Sequence, residues 1–299
     1  MEFRQLRYFV AVAEELNFNR AAKRLYISQQ ALSKQIRDLE DELEIQLFYR
    51  TKHQVKLTEA GAVFLKESKQ ILVQAQKAVQ ISQRAARGEI GKIKLSFVAS
   101  ALHTVLPKIL EIFQESYPDI EIVMDENCTQ DQVQALFKNE SDVGFVYLPI
   151  EDKNFNIQPI MEDSLVVVLP ENHPLSTLEN LPLKALKNES FILHPRYEGP
   201  VLYDKILNLC EGAGFVPKVV QEVHTSKTRI GWVAAGFGIS FVFASLQNLI
   251  NSQVVYKQVN EVEIALELAV VWKKDNASPV VQEFLKNCRE VISQLKHEN

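Results

Sequence analysis

The segment that decides the fold is Leu25-Tyr26-Ile27-Ser28-Gln29-Gln30-Ala31-Leu32-Ser33-Lys34-Gln35-Ile36-Arg37, which predicts a short loop followed by a helix. Apolar side chains recur at helical spacing and form one inward stripe, at Ala31, Leu32, Ile36, Leu39 and Leu43. The opposite face carries polar and basic side chains, at Gln29, Gln30, Ser33, Lys34 and Arg37. Ser28 stands where a helix N-cap belongs. Because such side chains can hydrogen-bond base edges or phosphates, the segment indicates the recognition helix of a helix-turn-helix.

The flanking sequence predicts the rest of a small domain over residues 1–58. Residues 4–15 have the apolar spacing of a first helix, and Asn17-Phe18-Asn19 caps a second helix that runs from Arg20 to Leu25. The third helix runs from Gln29 to Leu43, and residues 47–58 predict two short strands around a basic tip. Three helices and a β-hairpin make a winged helix-turn-helix.

The distribution of charge supports nucleic-acid binding although the whole chain is acidic. The 299 residues carry a formal net charge of −5. Residues 1–90 contain 15 Lys and Arg against 11 Asp and Glu, whereas residues 91–299 contain 18 against 27. Between Leu16 and Arg37 there are five basic residues and no acidic one. The segment from Arg50 to Lys56 contains Arg50, Lys52, His53 and Lys56 and again no acidic residue. A basic end on an acidic body is typical of a DNA-binding domain joined to another domain, although a solvated charged face would give the same count.

A long helix is predicted over residues 59–88. The segment from Thr58 to Arg87 contains no Pro, and its single Gly, Gly61, lies in the first turn. Heptad a and d positions are occupied by Leu65, Ser68, Leu72, Ala75, Val79, Ser82 and Ala86. About thirty residues span roughly 45 Å as a helix, so we expect pairing with a second copy of the chain. Packing on its own chain is the alternative.

Residues 91–299 predict an α/β domain with two lobes, because short apolar strands alternate with helical stretches. The first series is 93–98, 104–117, 120–124, 131–138 and 143–147. The second series is 165–169, 191–193, 201–212, 219–223, 226–235 and 239–243, and 265–272 and 279–296 close the chain. This alternation predicts mostly parallel sheets, with a ligand cleft beyond the strand ends. We place lobe I at 91–161 and 267–299 and lobe II at 162–266.

Several classes of protein are disfavoured by the sequence. Cys128, Cys210 and Cys288 are far apart, which predicts buried small hydrophobes and neither a disulfide framework nor a metal site. The N-terminus begins polar, and no apolar run approaches the length of a membrane span, so we expect a cytoplasmic protein. No GxSxG, P-loop, HExxH or GxGxxG motif is present, and this argues against an enzyme and a cofactor.

The chain resembles the LysR-type transcriptional regulators along essentially its whole length. The resemblance is strongest in residues 6–15, 18–25, 28–36, 39–40, 47–50 and 57–61. Residues 84–89, 97–100 and 233–240 resemble, more weakly, a subgroup that responds to acids of acetoin metabolism and of aromatic-ring cleavage. The family implies a two-lobed effector domain similar to periplasmic binding proteins, a dimer, a tetramer of two dimers, and RNA polymerase as a further partner.

The resemblance also implies roles for individual residues at the DNA. Gln29, Gln30, Ser33 and Lys34 match positions that face bases in the major groove. Contacts to the DNA backbone or the minor groove are predicted for a second set of residues. These are Arg20, Ser28 at the helix start, Arg37, Arg50, Lys52 and His53. Many relatives have Pro where this chain has Gln30, and Gln can pair bidentately with adenine, so operator preference is expected to differ.

The effector site implied by the resemblance lies in the cleft between the lobes. Ser100, with the adjoining Ala101 and Leu102, and Thr129 match effector-contacting positions near helix N-termini, where an anion can bind. The facing lobe contributes Pro200, Val201 and Leu202. Tyr147 stands where muconate-responsive relatives carry Arg, which leaves a dicarboxylate, a monocarboxylate and a neutral ligand open. His194 and His224 lie near this cleft, and for each a structural role is the alternative to ligand contact.

The sequence therefore predicts a ligand-controlled, sequence-specific DNA-binding protein. A small-solute sensor without specific DNA binding is the alternative, since a solute-binding protein of a transporter would share the two lobes. The basic winged helix and the polar N-terminus argue against it. A scaffolding role without DNA stays open.

Overall fold

The computed structural model describes residues 1–50, 54–150, 152–249, 252–260 and 264–298, with side chains described as far as residue 295. The chain divides into two compact units, Met1–Arg84 and Ala85–Asn299. No helix in the described ranges combines the length and apolar character needed to cross a bilayer.

The first unit contains helices and one hairpin, in the predicted order. The elements are α1 (Phe3–Glu15), α2 (Phe18–Arg24), α3 (Gln29–Leu43), β1 (Phe48–Arg50), β2 (Val55–Leu57) and the long α4 (Glu59–Ala86), whose last residues belong to the second unit. β1 and β2 pair antiparallel, with Phe48 opposite Leu57. The three helices and the hairpin of a winged helix-turn-helix are confirmed. Helix α2 begins at Phe18, two residues before the predicted start.

The helix starts follow from capping side chains that the sequence already indicated. The Asn17 side chain accepts hydrogen bonds from the backbone N–H groups of Asn19 and Arg20. The Ser28 hydroxyl accepts one from the N–H of Ala31, which confirms the predicted N-cap of α3. Tyr26, between the two helices, has a φ of 55°, a left-handed conformation that makes the turn tight.

The apolar faces of the three helices meet in one core with the hairpin. Leu32, Ile36 and Leu39 of α3 are completely buried. The ring of Phe9 lies 5.3 Å from that of Phe48 and 5.0 Å from that of Phe64 in α4. The prediction that Ala31 belongs to the inward stripe is wrong, because Ala31 is exposed. Ala31 lies about 100° around the helix from the centre of the stripe, which places it at the border with the polar face.

The hairpin is joined tightly to α4 through a close backbone approach. Thr58 donates its hydroxyl to the Gln46 carbonyl at 2.7 Å and accepts the Gly61 N–H at 2.8 Å. A Cβ on Gly61 would lie 2.1 Å from the Leu47 carbonyl oxygen. This position therefore requires glycine.

Helix α4 has several apolar side chains that the single chain leaves exposed. Its 28 residues span about 42 Å, and Gly61 and Ser68 are the buried ones. The predicted heptad residue Val79 is 56% exposed, and Val63, Val73 and Ile81 are exposed as well.

The second unit alternates strands and helices. The elements are β3 (Gly91–Phe97), α5 (Ala99–Leu102), α6 (Leu106–Ser116), β4 (Ile120–Glu126), α7 (Thr129–Phe137), β5 (Val143–Tyr147), β6 (Phe155–Pro170), β7 (Ser190–Leu193), α8 (Pro200–Gly212), β8 (Lys218–Glu222), α9 (Ser226–Ala234), β9 (Ser240–Phe243), β10 (Val254–Lys257), β11 (Ala265–Lys273) and α10 (Pro279–Glu298). The predicted helix 104–117 is present as α6, whereas α5 and β10 have no predicted counterpart.

The expectation of mostly parallel sheets is wrong for the large sheet. Its strand order is β10-β6-β11-β5-β3-β4, with β9 also on β6. Strand β3 pairs parallel with β4 and β5, whereas β11 pairs antiparallel with β5 and β6, and β6 pairs antiparallel with β9 and β10. Parallel pairing holds for the smaller sheet, β7 with β8. Strand β11, from the C-terminal part of the chain, lies between β5 and β6 and runs antiparallel to both, and this long-range pairing is not recorded in the local alternation of strands and helices.

Two large hydrophobic cores and one smaller cluster lie within the described residues of this unit, and β6 and β11 contribute to both large cores. One core contains Phe113, Phe145 and Phe284, together with Ile160 of β6 and Leu268 of β11. The other contains the buried run 165–169 of β6 and Leu266 of β11, packed against α8 and α9. Strand β6 passes from one core to the other between Ile160 and Leu165, and β11 does so between Leu266 and Leu268.

Candidate nucleic-acid interface and ligand cavity

The polar face of α3 is turned to solvent, as predicted. Gln29, Gln30, Lys34 and Arg37 are exposed, Ser33 is half-buried, and the N-cap Ser28 is exposed. Because the opposite face is fully buried, the helix has one orientation available and presents these groups together.

Two of these side chains are held by hydrogen bonds along the helix. Gln29 Nε2 donates to Ser33 Oγ at 2.8 Å, and Arg37 Nε donates to the Ser33 carbonyl at 3.4 Å. Ser33 is thus the centre of the polar face, with the Gln29 amide oriented one turn before it. A pre-oriented amide loses less conformational entropy when it contacts a base.

The basic side chains around α3 are oriented by carboxylates of the same unit. Arg20 donates to the Glu15 carbonyl at 2.5 Å and lies 3.4 Å from the Glu15 carboxylate. Glu14 accepts from Arg24 and from Lys69 of α4, each at 2.8 Å, and these hydrogen bonds lower the pKa of the Glu14 carboxyl.

Arg50 at the end of β1 is anchored by two groups that the sequence did not indicate. Its guanidinium forms an ion pair with Glu40 and lies 5.2 Å from the centre of the Phe18 ring. Glu40 also accepts the N–H groups of Leu47 and Phe48, at 2.8 and 3.1 Å. Glu40 therefore fixes both the hairpin and its arginine. The predicted contacts Lys52 and His53 lie outside the described residues.

The second unit contains a cavity of about 370 Å³ between its two cores. This volume is in the range of small-molecule sites. Of the predicted effector residues, the cavity is lined by Ser100, Thr129, Tyr147, Pro200, Val201 and Leu202. Ala101 and Leu102 are not among the lining residues, because Ala101 is completely buried and Leu102 packs against one of the cores.

Several helices begin at the cavity. The lining includes Thr129 at the start of α7, Pro200 at the start of α8 and Ser226 at the start of α9. Helix N-termini carry partial positive charge, and their first N–H groups lack partners within the helix. The Thr129 hydroxyl accepts the N–H of Tyr147 at 3.2 Å.

Tyr147 is held as a neutral phenol by a buried carboxylate. Its hydroxyl donates to Asp163 Oδ2 at 2.7 Å, and its ring stacks on Phe243 with centroids 4.0 Å apart. Burial raises the pKa of Tyr147 well above its ordinary value. Asp163 also accepts the backbone N–H and the hydroxyl of Ser245. Asp163 and Ser245 were not found from the sequence, because 82 residues separate them.

The two histidines near the cavity differ in their surroundings. Burial, with the charge of Arg229, lowers the pKa of His194 to about 4, so its ring is neutral at physiological pH. His194 Nε2 lies 3.0 Å from the Gly199 carbonyl oxygen, and a neutral ring donates its proton there. This is the structural role given as the alternative. His224 Nδ1 is paired with Glu198 and lies 3.3 Å from the Tyr197 hydroxyl.

Arg229 and Cys128 are two of the lining residues to which no role in this site was assigned from the sequence. Arg229 of α9 is 6% exposed, and burial lowers its pKa to about 10, which leaves it charged at neutral pH. Cys128 is half-buried beside the cavity, so the prediction of three buried cysteines is wrong for this residue. Burial raises the pKa of the Cys128 thiol to about 11, which keeps it protonated. No group of three His, Cys, Asp or Glu suited to a metal ion occurs within the described residues.

The class of protein to which this chain belongs is defined by two family matches. Residues 3–62 match the family described as bacterial regulatory helix-turn-helix protein, lysR family, and residues 86–293 match the LysR substrate binding domain. The chain belongs to the LysR family of transcriptional regulators.

Individual proteins show the same relationship over the full length. The regulator AlsR of Bacillus subtilis (strain 168) is 36% identical over 292 residues, which cover 97% of each chain. The regulator CatR of Pseudomonas putida is 36% identical over 95% of this chain and 97% of its own. The crystal structure of full-length CbnR complexed with its target DNA has a TM-score of 0.82 and 26% identity, and covers 98% of this chain and 100% of that chain.

These comparisons establish what kind of protein this is. It is a DNA-binding transcriptional regulator with a substrate-binding domain, and its relatives are regulators and not enzymes. The family resemblance predicted from residues 6–61 is confirmed. The alternative, a small-solute sensor without specific DNA binding, is wrong, because the chain is a LysR-type DNA-binding regulator.

Proposed function

We propose that this regulator binds operator DNA through α3 and its hairpin, and that a small molecule in the cavity of the second unit controls transcription. The observation that carries the proposal is the exposed polar face of α3, centred on Ser33 and backed by a fully buried apolar face. It provides hydrogen-bonding groups on a rigid helix, which the reading of base edges requires.

The proposed contacts divide into two kinds. Gln29, Gln30, Ser33 and Lys34 meet base edges in the major groove. The contacts to the DNA backbone or minor groove come from basic residues and the helix start, at Arg20, Ser28, Arg37, Arg50, Lys52 and His53. Support comes from the exposure of Gln29, Gln30 and Lys34 and from the anchoring of Arg50 beside α3.

Two copies of the chain pair through α4, and two dimers form a tetramer. The exposed apolar side chains of α4 support this, among them Val79 on the predicted heptad stripe. Pairing brings two α3 helices to successive major-groove faces about 34 Å apart, or a multiple of this distance. RNA polymerase is a further proposed partner, and the site of action is the cytoplasm.

The division of labour follows the proposed domains 1–58, 59–88 and 91–299, the last with lobe I at 91–161 and 267–299 and lobe II at 162–266. Two separate hydrophobic cores support the lobes. The proposed ligand is a small molecule, preferably a carboxylate, that contacts Ser100, Thr129 and Tyr147 on one side and 200–202 on the other. It closes the lobes on each other and so shifts the balance between two assemblies on DNA.

The experiment that tests this function is a binding titration on the upstream intergenic DNA of the regulator's own gene and on a random duplex. Both are measured over a salt series, with and without a panel of small carboxylates. We expect salt-steep binding that favours the upstream site, and a ligand of the panel that changes it. Equal and weak binding to both duplexes would contradict the proposal.

A further inference from the structure

Arg229 is a buried cation on the wall of the cavity that lacks a complete set of partners. A guanidinium has five N–H donors. Nη2 donates to the Ser226 hydroxyl at 3.0 Å, and Nη1 lies at 3.5 Å from the Val223 carbonyl oxygen. The Nε–H finds no acceptor among the described residues. Buried polar groups are normally hydrogen-bonded, so a ligand with acceptor atoms would complete this group.

The position of Arg229 in its helix makes the unpaired charge more costly. Arg229 is the fourth residue of α9, and the first turn of a helix favours negative charge and disfavours positive charge. A negatively charged group beside Arg229 would be attracted both by the guanidinium and by the helix N-terminus.

The neighbouring charged groups do not neutralise Arg229 by direct contact. Glu198 raises the pKa of Arg229 through space, but its carboxylate is paired with His224. His194, which also lies close to Arg229, is neutral and donates to the Gly199 carbonyl. The guanidinium therefore keeps donors for a ligand.

The remainder of the cavity is acidic. Arg229 is the single Lys or Arg among the described lining residues, whereas Glu126, Asp131 and Glu198 line the same cavity. Tyr147, which also lines the cavity, is a neutral phenol whose hydroxyl donates its hydrogen bond to Asp163. The lining side chains therefore offer a second acid group several carboxylates and no second Lys or Arg among the described residues.

We propose that Arg229 binds the single acid group of a small monoanionic ligand, and that the acidic lining of the cavity rejects dianions. The inference rests on the proposed ligand control and names the class of ligand and the residue that selects it. Ser226, which already contacts the guanidinium, orients it towards the ligand.

The test uses three probes of equal chain length and the full-length protein. Pentanoate is the monoanion, pentanedioate the dianion and pentanamide the neutral counterpart. Calorimetric titration and the shift of the thermal midpoint, Tm, are measured for each probe. We expect pentanoate to bind wild type about tenfold or more tightly than either other probe, since a charge-assisted hydrogen bond is lost with the amide.

Two variants of Arg229 and one control assign the effect. Arg229→Met should lose the preference for pentanoate over pentanamide, and its ligand-free Tm should rise, because an unsatisfied buried charge is removed. Arg229→Lys keeps the positive charge but has fewer N–H donors, so its preference for pentanoate over pentanamide should be reduced but not lost. This variant tests the role of Arg229 if Arg229→Met does not fold. Lys227→Met removes an exposed cation of the same helix and should respond to the probes as wild type does.

The proposal is overturned if none of the three probes shifts the Tm of wild type, if pentanamide or pentanedioate binds as tightly as pentanoate, or if both Arg229 variants retain the full preference. An equal response to pentanoate and pentanamide removes the assignment of Arg229 but leaves ligand control of the cavity standing. A probe that binds with the expected preference yet never changes operator binding supports Arg229 and counts against the proposed control of DNA.

Discussion

At the scale of single residues, the proposed DNA contacts of α3 and its hairpin separate base recognition from attraction to the DNA backbone. Ser33 lies at the centre of the polar face, hydrogen-bonded by the Gln29 amide, whereas Arg50 is a cation held beside the helix by Glu40. A neutral hydroxyl among base edges contributes sequence preference, and a cation near phosphates contributes affinity for every sequence.

Substitution of these two residues should therefore give different losses. Ser33→Ala is expected to reduce the ratio of operator to random-DNA affinity by about tenfold, within the 1–3 kcal/mol range of base discrimination. Arg50→Ala is expected to weaken both duplexes alike and to reduce the salt slope by about 1. Fluorescence anisotropy over a salt series measures both quantities.

Matched controls keep this comparison specific. Ser293→Ala removes an exposed helical serine of α10, and Arg4→Ala removes an exposed arginine of α1 that pairs with Glu2. Neither control variant should change the ratio of operator to random-DNA affinity. Because Arg50→Ala leaves the carboxylate of Glu40 unpaired, thermal unfolding is recorded as well. Equal losses on the two duplexes for both variants would contradict the division of roles.

His194 predicts a dependence of stability on pH. Its pKa in the folded protein is about 4, below the ordinary value of 6.5, so the unfolded chain takes up a proton first as the pH falls. The free energy of unfolding should therefore decrease between pH 6.5 and pH 4, by about 2 kcal/mol from pH 7 to pH 5 for this group. Urea unfolding of wild type and His194→Gln at several pH values measures this decrease in the free energy of unfolding. The same pH slope in both proteins would contradict the role of His194.

At the scale of elements, the junction of hairpin and α4 depends on one glycine. Gly61→Ala places a methyl group 2.1 Å from the Leu47 carbonyl oxygen, so the helix or the hairpin must move. We expect the first unit to lose about 1–3 kcal/mol. Gly231→Ala in α9 is the control, because nothing lies within 4 Å of its added Cβ, and helix propensity favours Ala by up to about 1 kcal/mol.

Hydrogen exchange reports the two units separately, since amides of α3 and α9 can be followed in one experiment. Faster exchange in α3 for Gly61→Ala, with unchanged or slower exchange in α9 for Gly231→Ala, is the expected pattern. Unchanged protection of α3 in Gly61→Ala would show that the junction adapts without loss.

The proposed pairing of α4 with a second copy of the chain gives another prediction at the scale of elements. Val79 occupies a heptad position and is 56% exposed in the single chain. Val79→Glu should weaken self-association by about 2 kcal/mol or more, because a carboxylate would be buried between apolar side chains. Sedimentation velocity over a concentration series measures it, and Gln80→Glu, off the heptad stripe, is the control. Equal association of both variants would remove α4 from the interface.

At the scale of the whole molecule, the strands shared by the two cores connect the ligand cavity with the rest of the second unit. Strands β6 and β11 belong to both cores, so a change in lobe closure has to be accommodated in these two strands. A ligand can shift such an equilibrium by its differential affinity, typically about 1–3 kcal/mol, or 5–150-fold.

Ser100→Ala tests this coupling. Ser100 is 2% exposed, lines the cavity and contacts the Tyr147 hydroxyl. We expect the variant to lose the change in operator affinity that an active ligand produces in wild type, measured by the same anisotropy titration. Ser116→Ala, an exposed serine at the end of α6, should keep it. A normal ligand response in Ser100→Ala would reject this residue as part of the site.

Much of the fold could be predicted because its signals are local. Spacing of apolar residues determined α1, α3 and the long α4, and the caps Asn17 and Ser28 determined where helices begin. The polar face of α3 followed from the same periodicity. Helix and cap signals depend on residues within a few positions of each other, and these are visible in one sequence.

What the sequence by itself determined is therefore the winged helix-turn-helix, the exposed face of α3, the alternating α/β order, and through residues 6–61 the family. Only the tertiary structure decided the antiparallel pairing of β6 and β11, and the groups that complete each site. Glu40 reaches Arg50 across ten residues, Asp163 reaches Ser245 across 82, and Arg229 comes to lie beside His194 and near Glu198 in one cavity. Partners so far apart are brought together by the packing of whole elements, and no local spacing records that packing.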